Sequence, residues 1–259
     1  RLAKMFADSG PRVLVLSSLF PSAARPTAGL FIRERMFRVA AHLPLTVISP
    51  QAWFPGQSLI RLFRPGYRPP APSHEWQQGV DVYFPRFVAL PGLLRRLDGW
   101  SMAACSYFLV RRLQRRAAIG LIDAHFAYPD GEAATHLGRW LNLPVTITLR
   151  GTEVPHSRQP HLRARLVRAL AAAARVFSVS DSLRQLALSL GAAPDKTEVV
   201  GNGVDLQRFH PVDKHTARLQ LGLPPTAKLL ISVGGLVERK GMHRVIDCLP
   251  ALLEHQPDL

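Results

Sequence analysis

Short apolar, β-branched runs alternate with longer stretches of helical periodicity along nearly the whole chain. That alternation restricts the fold more than any other feature. Val13–Leu19 (VLVLSSL) is a continuous apolar run, as a strand covered on both faces requires. Gly29–Leu43 follows, with Ile32, Met36, Val39 or Ala40, and Leu43 on one helical stripe. Leu45–Ser49 and Val80–Phe84 read as strands, and Pro91–Arg116 as one or two helices. Leu121–Phe126 is a strand, after which Asp130 is placed to cap a helix running to Leu141. Val145–Leu149 (VTITL) is the clearest β run, and an alanine- and arginine-rich helix spans about Pro160 to Ala174. Val176–Val179 is a strand, Ser180 caps a helix that Gly191 ends, and Thr197–Val200 is a strand closed by the turn signal Asn202-Gly203. The β-α-β-α order predicts a doubly wound α/β domain with a parallel sheet wrapped by helices.

From Pro211 to Ala227 the pattern loses regularity, with a short helix at His215–Leu221 among three prolines. Leu229–Val237 then reads as a new apolar strand and Gly241–His255 as a new helix. The expected organisation is a Rossmann-like domain over 1–211, a linker over 212–227, and the first βα unit of a second domain over 228–259. One βα unit is too small to bury a core of its own. The chain starts at Arg1, and the reading is of a trimmed start and an incomplete second domain.

Composition enters where it excludes something. No stretch of about 18 uninterrupted apolar residues occurs, so no spanning helix is expected. The two cysteines, Cys105 and Cys248, lie far apart without metal-ligand spacing, against a disulfide scaffold or zinc ribbon and in keeping with a cytoplasmic protein. The charge is less ordinary: Lys+Arg is 33 against 18 for Asp+Glu, a net +15, and only five of the 33 are lysine. Such a balance suits a nucleic acid, an anionic membrane or a phosphorylated substrate, or reflects codon usage alone.

Candidate functional residues cluster where an open α/β sheet binds ligands, at the carboxyl ends of its strands. The loop after the first strand carries Gly29 at a helix start, where free N–H groups favour an anion, although any helix can begin on a glycine. The loop lacks G-x-G-x-x-G, against a dinucleotide enzyme. His125 ends one strand, suited to a sugar hydroxyl or proton transfer, or to a structural role. Arg150, Gly151 and Thr152 follow Val145–Leu149 and suit an anionic or polyhydroxyl ligand, or a solvated loop.

Five segments in order carry a family resemblance: DAHFAYPDG from Asp123, VTITLRGTEV from Val145, SVSDSL from Ser178, VVGNGVDLQRFHP from Val199, and SVGGLVERKG from Ser232. The sequence resembles glycosyltransferase family 4, retaining enzymes of the GT-B fold, whose two Rossmann-like domains face a cleft. The resemblance implies transfer of a sugar from a nucleotide-diphosphate sugar to a saccharide or lipid-linked acceptor, in cell-envelope or exopolysaccharide synthesis. It implies an acceptor-side N-terminal domain, with His125 as the catalytic histidine near the transferred sugar. It places Gly29 toward the donor phosphates, and Asn202 and Gly203 with Arg150, Gly151 and Thr152 along the cleft. Lys240 matches the lysine on the donor diphosphate, whereas Gly235 stands where the family has arginine. The family's paired glutamates lie beyond Leu259, so the chain is expected to be an inactive fragment. No metal and no cofactor beyond the donor substrate is implied.

The segment 91–116 mixes Leu93, Leu94, Trp100, Phe108 and Leu109 with Arg111, Arg112, Arg115 and Arg116, which suits peripheral binding to an anionic inner membrane face. The alternative is a core-packed helix with solvated arginines. Two other functions stand behind the transferase: another GT-B-shaped nucleotide-sugar enzyme such as an epimerase, and a basic nucleic-acid binder. The last has no recognition motif to support it, and no nucleic-acid partner is expected.

Overall fold

The computed structural model describes residues 10–90 and 95–256. Leu93 and Leu94, counted above toward a lipid-facing segment, lie outside the described residues. The chain divides into two units, Arg1–Gly203 and Val204–Leu259.

The first unit is built on one large sheet. Its strands are β1 (Arg12–Leu16), β2 (Leu45–Ile48), β4 (His74–Gln77), β5 (Val80–Tyr83), β7 (Ile119–His125), β8 (Val145–Leu149), β9 (Arg175–Ser178) and β10 (Thr197–Val199). They lie in the order β10-β9-β8-β7-β1-β2-β5-β4. Every pairing is parallel except β4 with β5. The short strands β3 (Gln51–Trp53) and β6 (Arg86–Val88) form a separate parallel pair.

Alternation along β1 shows why a continuous apolar run was needed. Leu14 and Leu16 enter one buried cluster, Val13 and Val15 the other. Each such side chain contributes roughly 1.5–3 kcal/mol on burial. Helix α1 (Leu30–Ala40) covers the valine side through Ile32 and Met36. A short helix α2 (Gln57–Phe63) follows β3. The leucine side is covered by α3 (Asp98–Arg116), α4 (Glu132–Leu141), α6 (Pro160–Ala172) and α7 (Asp181–Ser189), through Met102, Leu137, Leu166 and Leu183 among others. Between α4 and α6 a one-turn helix α5 (Glu153–Ser157) follows β8.

Several expectations need correction. Asp130 does not cap α4: no side-chain cap is formed there, and the carboxylate instead accepts from the Ser18 backbone N–H and from Ser18 Oγ at 3.0 Å. Ser180 does cap, accepting from the Leu183 N–H. The Asn202-Gly203 pair forms no tight turn; the backbone there is irregular. The apolar stripe of α3 is used by the core, with Met102, Ala103 and Val110 buried, so among the described residues of 91–116 the lipid-facing reading keeps Leu97, Trp100, Phe108 and the exposed arginines. Among the described residues no helix is long and apolar enough to cross a membrane.

The second unit contains helices α8 (Lys214–Gln220) and α9 (Met242–His255). Leu229–Val237 is not a strand. A strand is defined by its ladder partner, and the described residues supply none. Ile231, Val233 and Leu236 are exposed, and α9 has no buried residue.

Candidate functional site

β1 has β2 on one side and β7 on the other, so the connections leaving β1 and β7 diverge. This is the switch point at which doubly wound sheets open a crevice beyond the strand ends. In register, Leu16 lies beside Ala124, and His125 beside Thr148, so the loops after β1, β7 and β8 emerge together.

His125 is fully buried. Its Nδ1 accepts a hydrogen bond from Arg150 Nε at 3.1 Å, which leaves Nε2 as the protonated nitrogen of the neutral ring. Nε2 faces Asp123 Oδ2 at 3.4 Å. Burial holds the His125 pKa below the ordinary value, and Arg150 and Arg35 add to that, against the pull of Asp123. The Asp123 carboxyl is also fixed by Thr146 Oγ1, which donates at 2.7 Å. Burial alone would raise the Asp123 pKa, but His125, Thr146 and Arg35 together hold it below the usual range.

Arg150 covers the histidine. Nη1 donates to Asn202 Oδ1 at 3.2 Å, and the guanidinium sits over the Phe31 ring at 5.2 Å. Its buried Nη2 meets no acceptor among the described residues. Burial, then repulsion from Arg35, pushes the Arg150 pKa down to about 10, so the group stays cationic at neutral pH. Arg35 donates to the Val200 carbonyl at 3.1 Å. Two guanidinium groups of one sign at one sheet edge favour an anionic ligand.

Glu153 holds the backbone of this edge. Fully buried at the start of α5, it accepts at Oε1 from the Ala127 N–H at 2.9 Å. At Oε2 it accepts from the Gly151 N–H at 2.8 Å and the Arg150 N–H at 3.2 Å. Gly151 takes φ 116, a conformation glycine adopts cheaply. Phe126, directly after His125, takes φ 78 and ψ 140 without being glycine, a strain of about 1–3 kcal/mol of the kind that concentrates at ligand sites. Asp130 is buried nearby, and burial pushes its pKa up to about 7 despite the Ser18 hydrogen bonds.

The structure thus brings His125, Arg150, Gly151, Thr152, Asn202 and Gly203 to one edge. Thr152 is exposed, and its side chain makes no cap bond. Gly29 begins α1 at φ 69, and an added Cβ would stand 2.3 Å from the Leu19 carbonyl oxygen. Gly235 and Lys240 belong to the second unit. There the Val237 N–H bonds the Gly235 carbonyl and the Lys240 N–H bonds the Val237 carbonyl. Lys240 is exposed, and the space beside Gly235 is open. Among the described residues no three His, Cys, Asp or Glu side chains gather as a metal site. Glu153, Arg35 and Phe31 were not singled out in the sequence.

Residues 60–208 match the Glycosyltransferase Family 4 domain. A Bacillus subtilis (strain 168) protein named for glycosyl transfer in teichuronic acid biosynthesis is 30% identical over 249 residues, covering 93% of this chain and 62% of that protein. The sucrose-phosphate synthase of Thermosynechococcus elongatus superposes with a TM-score of 0.65 at 15% identity, over 93% of this chain and 59% of that one. HepE of Anabaena, solved in complex with UDP, superposes with a TM-score of 0.57 at 18% identity, over 93% of this chain and 57% of that one. The chain therefore spans about three fifths of the length of these three proteins. The α/β fold with its mostly parallel sheet is that of these GT-B neighbours.

Proposed function

The chain belongs to glycosyltransferase family 4, and from that membership we propose that it serves sugar transfer from a nucleotide-diphosphate sugar to a saccharide or lipid-linked acceptor, with retention of configuration. The setting is cell-envelope or exopolysaccharide synthesis, in the cytoplasm at the inner membrane face. The Bacillus subtilis relative, named for teichuronic acid biosynthesis, supports that setting. HepE, solved with UDP and with UDP-glucose, supports the donor class.

One observation carries the site assignment: the cation of Arg150, fixed by His125, Asn202 and Phe31 at the switch-point edge with one nitrogen unpaired. As the glycosidic bond of the donor breaks, charge builds on the leaving diphosphate, and fixed cations act mainly at that stage. Arg150 is the group that reaches a ligand. His125, buried behind it, positions Arg150 as a neutral acceptor. Lys240 takes the diphosphate, with more of the load because Gly235 replaces the family arginine.

The test is donor-nucleotide affinity beside turnover, in the full-length enzyme, for three variants. Lys240→Ala is expected to lower kcat/KM by about 10²–10³-fold, or ~3–4 kcal/mol. Gly235→Arg is expected to tighten donor binding, since nothing crowds a side chain there. His125→Ala is expected to lose turnover with nucleotide affinity kept. If Lys240→Ala changes neither quantity, the diphosphate is not held at Lys240 and the role given to that residue fails.

A further inference from the structure

A polar cavity of about 270 Å³ opens in the first unit, lined in part by Ser18 and Arg25 of the loop after β1. Four arginines line it: Arg25 after β1, Arg61 on α2, Arg68 after α2, and Arg86 at the start of β6. Among the described residues no carboxylate lines it. Among the described residues none of the four forms an ion pair. Buried Arg61 Nε and Arg68 Nη1 meet no hydrogen-bond acceptor among the described residues. Gln57, itself only 4% exposed, lines the same space with an unpartnered amide oxygen. Asp98 shares a neighbouring cavity with Arg68 but does not line this one; burial raises its pKa to about 6, against Arg95 and Arg68. Four like charges around one small space repel one another unless an anion joins them, and guanidinium forks match phosphate oxygens. A single carboxylate would leave most of that charge unanswered.

The same helix that lines the cavity carries an apolar outer side. Gln57 and Arg61 face inward one turn apart, whereas Leu59, Leu62 and Phe63 are 63%, 75% and 86% exposed. A cationic cavity beside an uncovered apolar turn fits an anionic group attached to a hydrocarbon chain.

We propose that this cavity binds the phosphate or diphosphate of an acceptor carried on a lipid, the Leu59, Leu62 and Phe63 side meeting the chain. The proposal rests on the transferase reading for the word acceptor; the binding site itself does not.

Calorimetric titration with inorganic pyrophosphate and with farnesyl diphosphate separates the parts, because the two share a headgroup and differ in the chain. The double variant Arg61→Gln, Arg86→Gln is expected to weaken both by about tenfold or more. Arg68 is left in place because it also stacks on Phe54 and Tyr67. The double variant Leu62→Ser, Phe63→Ser changes exposed residues, and is expected to weaken farnesyl diphosphate alone. Thermal unfolding checks that both variants remain folded, and Arg25→Gln with Arg86→Gln replaces the first pair if it does not. Pyrophosphate binding untouched by the arginine changes overturns the anion site. Equal binding of the two probes, or farnesyl diphosphate binding untouched by the serine changes, overturns the lipid source in favour of a soluble phosphate. Lys240→Ala removes the donor-diphosphate lysine alone, and the pyrophosphate binding that the Arg61→Gln, Arg86→Gln pair weakens is expected to persist in it. If it abolishes pyrophosphate binding, the anion sits at the donor lysine and the cavity proposal falls. UDP binding measured alongside reports on the transferase reading separately.

Discussion

Glu153 offers the sharpest perturbation, because one buried carboxylate satisfies three backbone N–H groups from two loops. In Glu153→Gln only one oxygen remains. Its better placement is at Oε2, where it keeps the Arg150 and Gly151 donors. The new amide nitrogen then points its own hydrogens at the Ala127 N–H. One hydrogen bond is lost, two donors are left facing each other, and the remaining bonds lose their charge assistance. At roughly 1–3 kcal/mol per buried unsatisfied group, with partial relief from no longer burying a charge, the net cost is about 2–4 kcal/mol. Glu153→Ala orphans all three donors in a site too enclosed for free solvation, and is expected to cost about 3–5 kcal/mol. Urea unfolding followed by far-ultraviolet circular dichroism reads both. The parent and Gln variant differ by little in side-chain volume, so packing is not the cause of a difference. A Gln variant within about 0.5 kcal/mol of the parent would refute the reasoning, because the three N–H groups would then have found water or another acceptor.

Two further outcomes follow from the same edge. Asp130 has a folded-state pKa of about 7 against an ordinary 3.8, so the native chain keeps a proton that the unfolded chain gives up between those values. Its contribution is fully present below the lower value and is lost as pH rises through the upper one, by up to about 4 kcal/mol; the unfolding free energy of the parent minus that of Asp130→Asn should therefore fall from pH ~4.5 to ~8, and a flat difference means the carboxyl is ionised throughout. Gly29→Ala sets a Cβ against the Leu19 carbonyl at a positive φ, and should lower the melting temperature by roughly 5 °C or more; a shift under about 1 °C would show that the α1 start relaxes freely.

The wrapped parallel sheet was legible because β1, β7 and β8 are apolar over most of their length and helices carry their own period. Ser180 was legible as a cap because capping is local. Asp130 has the same local signature and was misread, because its partner is Ser18, more than a hundred residues away in sequence. Glu153 stood in a recognised segment, yet its role depends on where Ala127 comes to lie, which no short pattern encodes. Arg35 was lost among many arginines of similar surroundings in the sequence. The β3–β6 pair escaped because three-residue strands fall below any periodicity. Leu229–Val237 has strand composition without a strand's neighbour, and composition cannot report pairing.

The outermost strand β10 has only three residues and one neighbour, β9, with Glu198 and Val199 open to solvent. The chain just beyond it supplies the Val200 carbonyl to Arg35 and the Asn202 amide to Arg150. Sheet margins open locally at far lower free energy than sheet centres. When this margin frays, Arg150 keeps its histidine but loses its amide, and the cation swings free while β7 and β8 stay intact. The binding edge is thus softer than the scaffold carrying it: on warming, the aim of Arg150 is lost before the sheet melts.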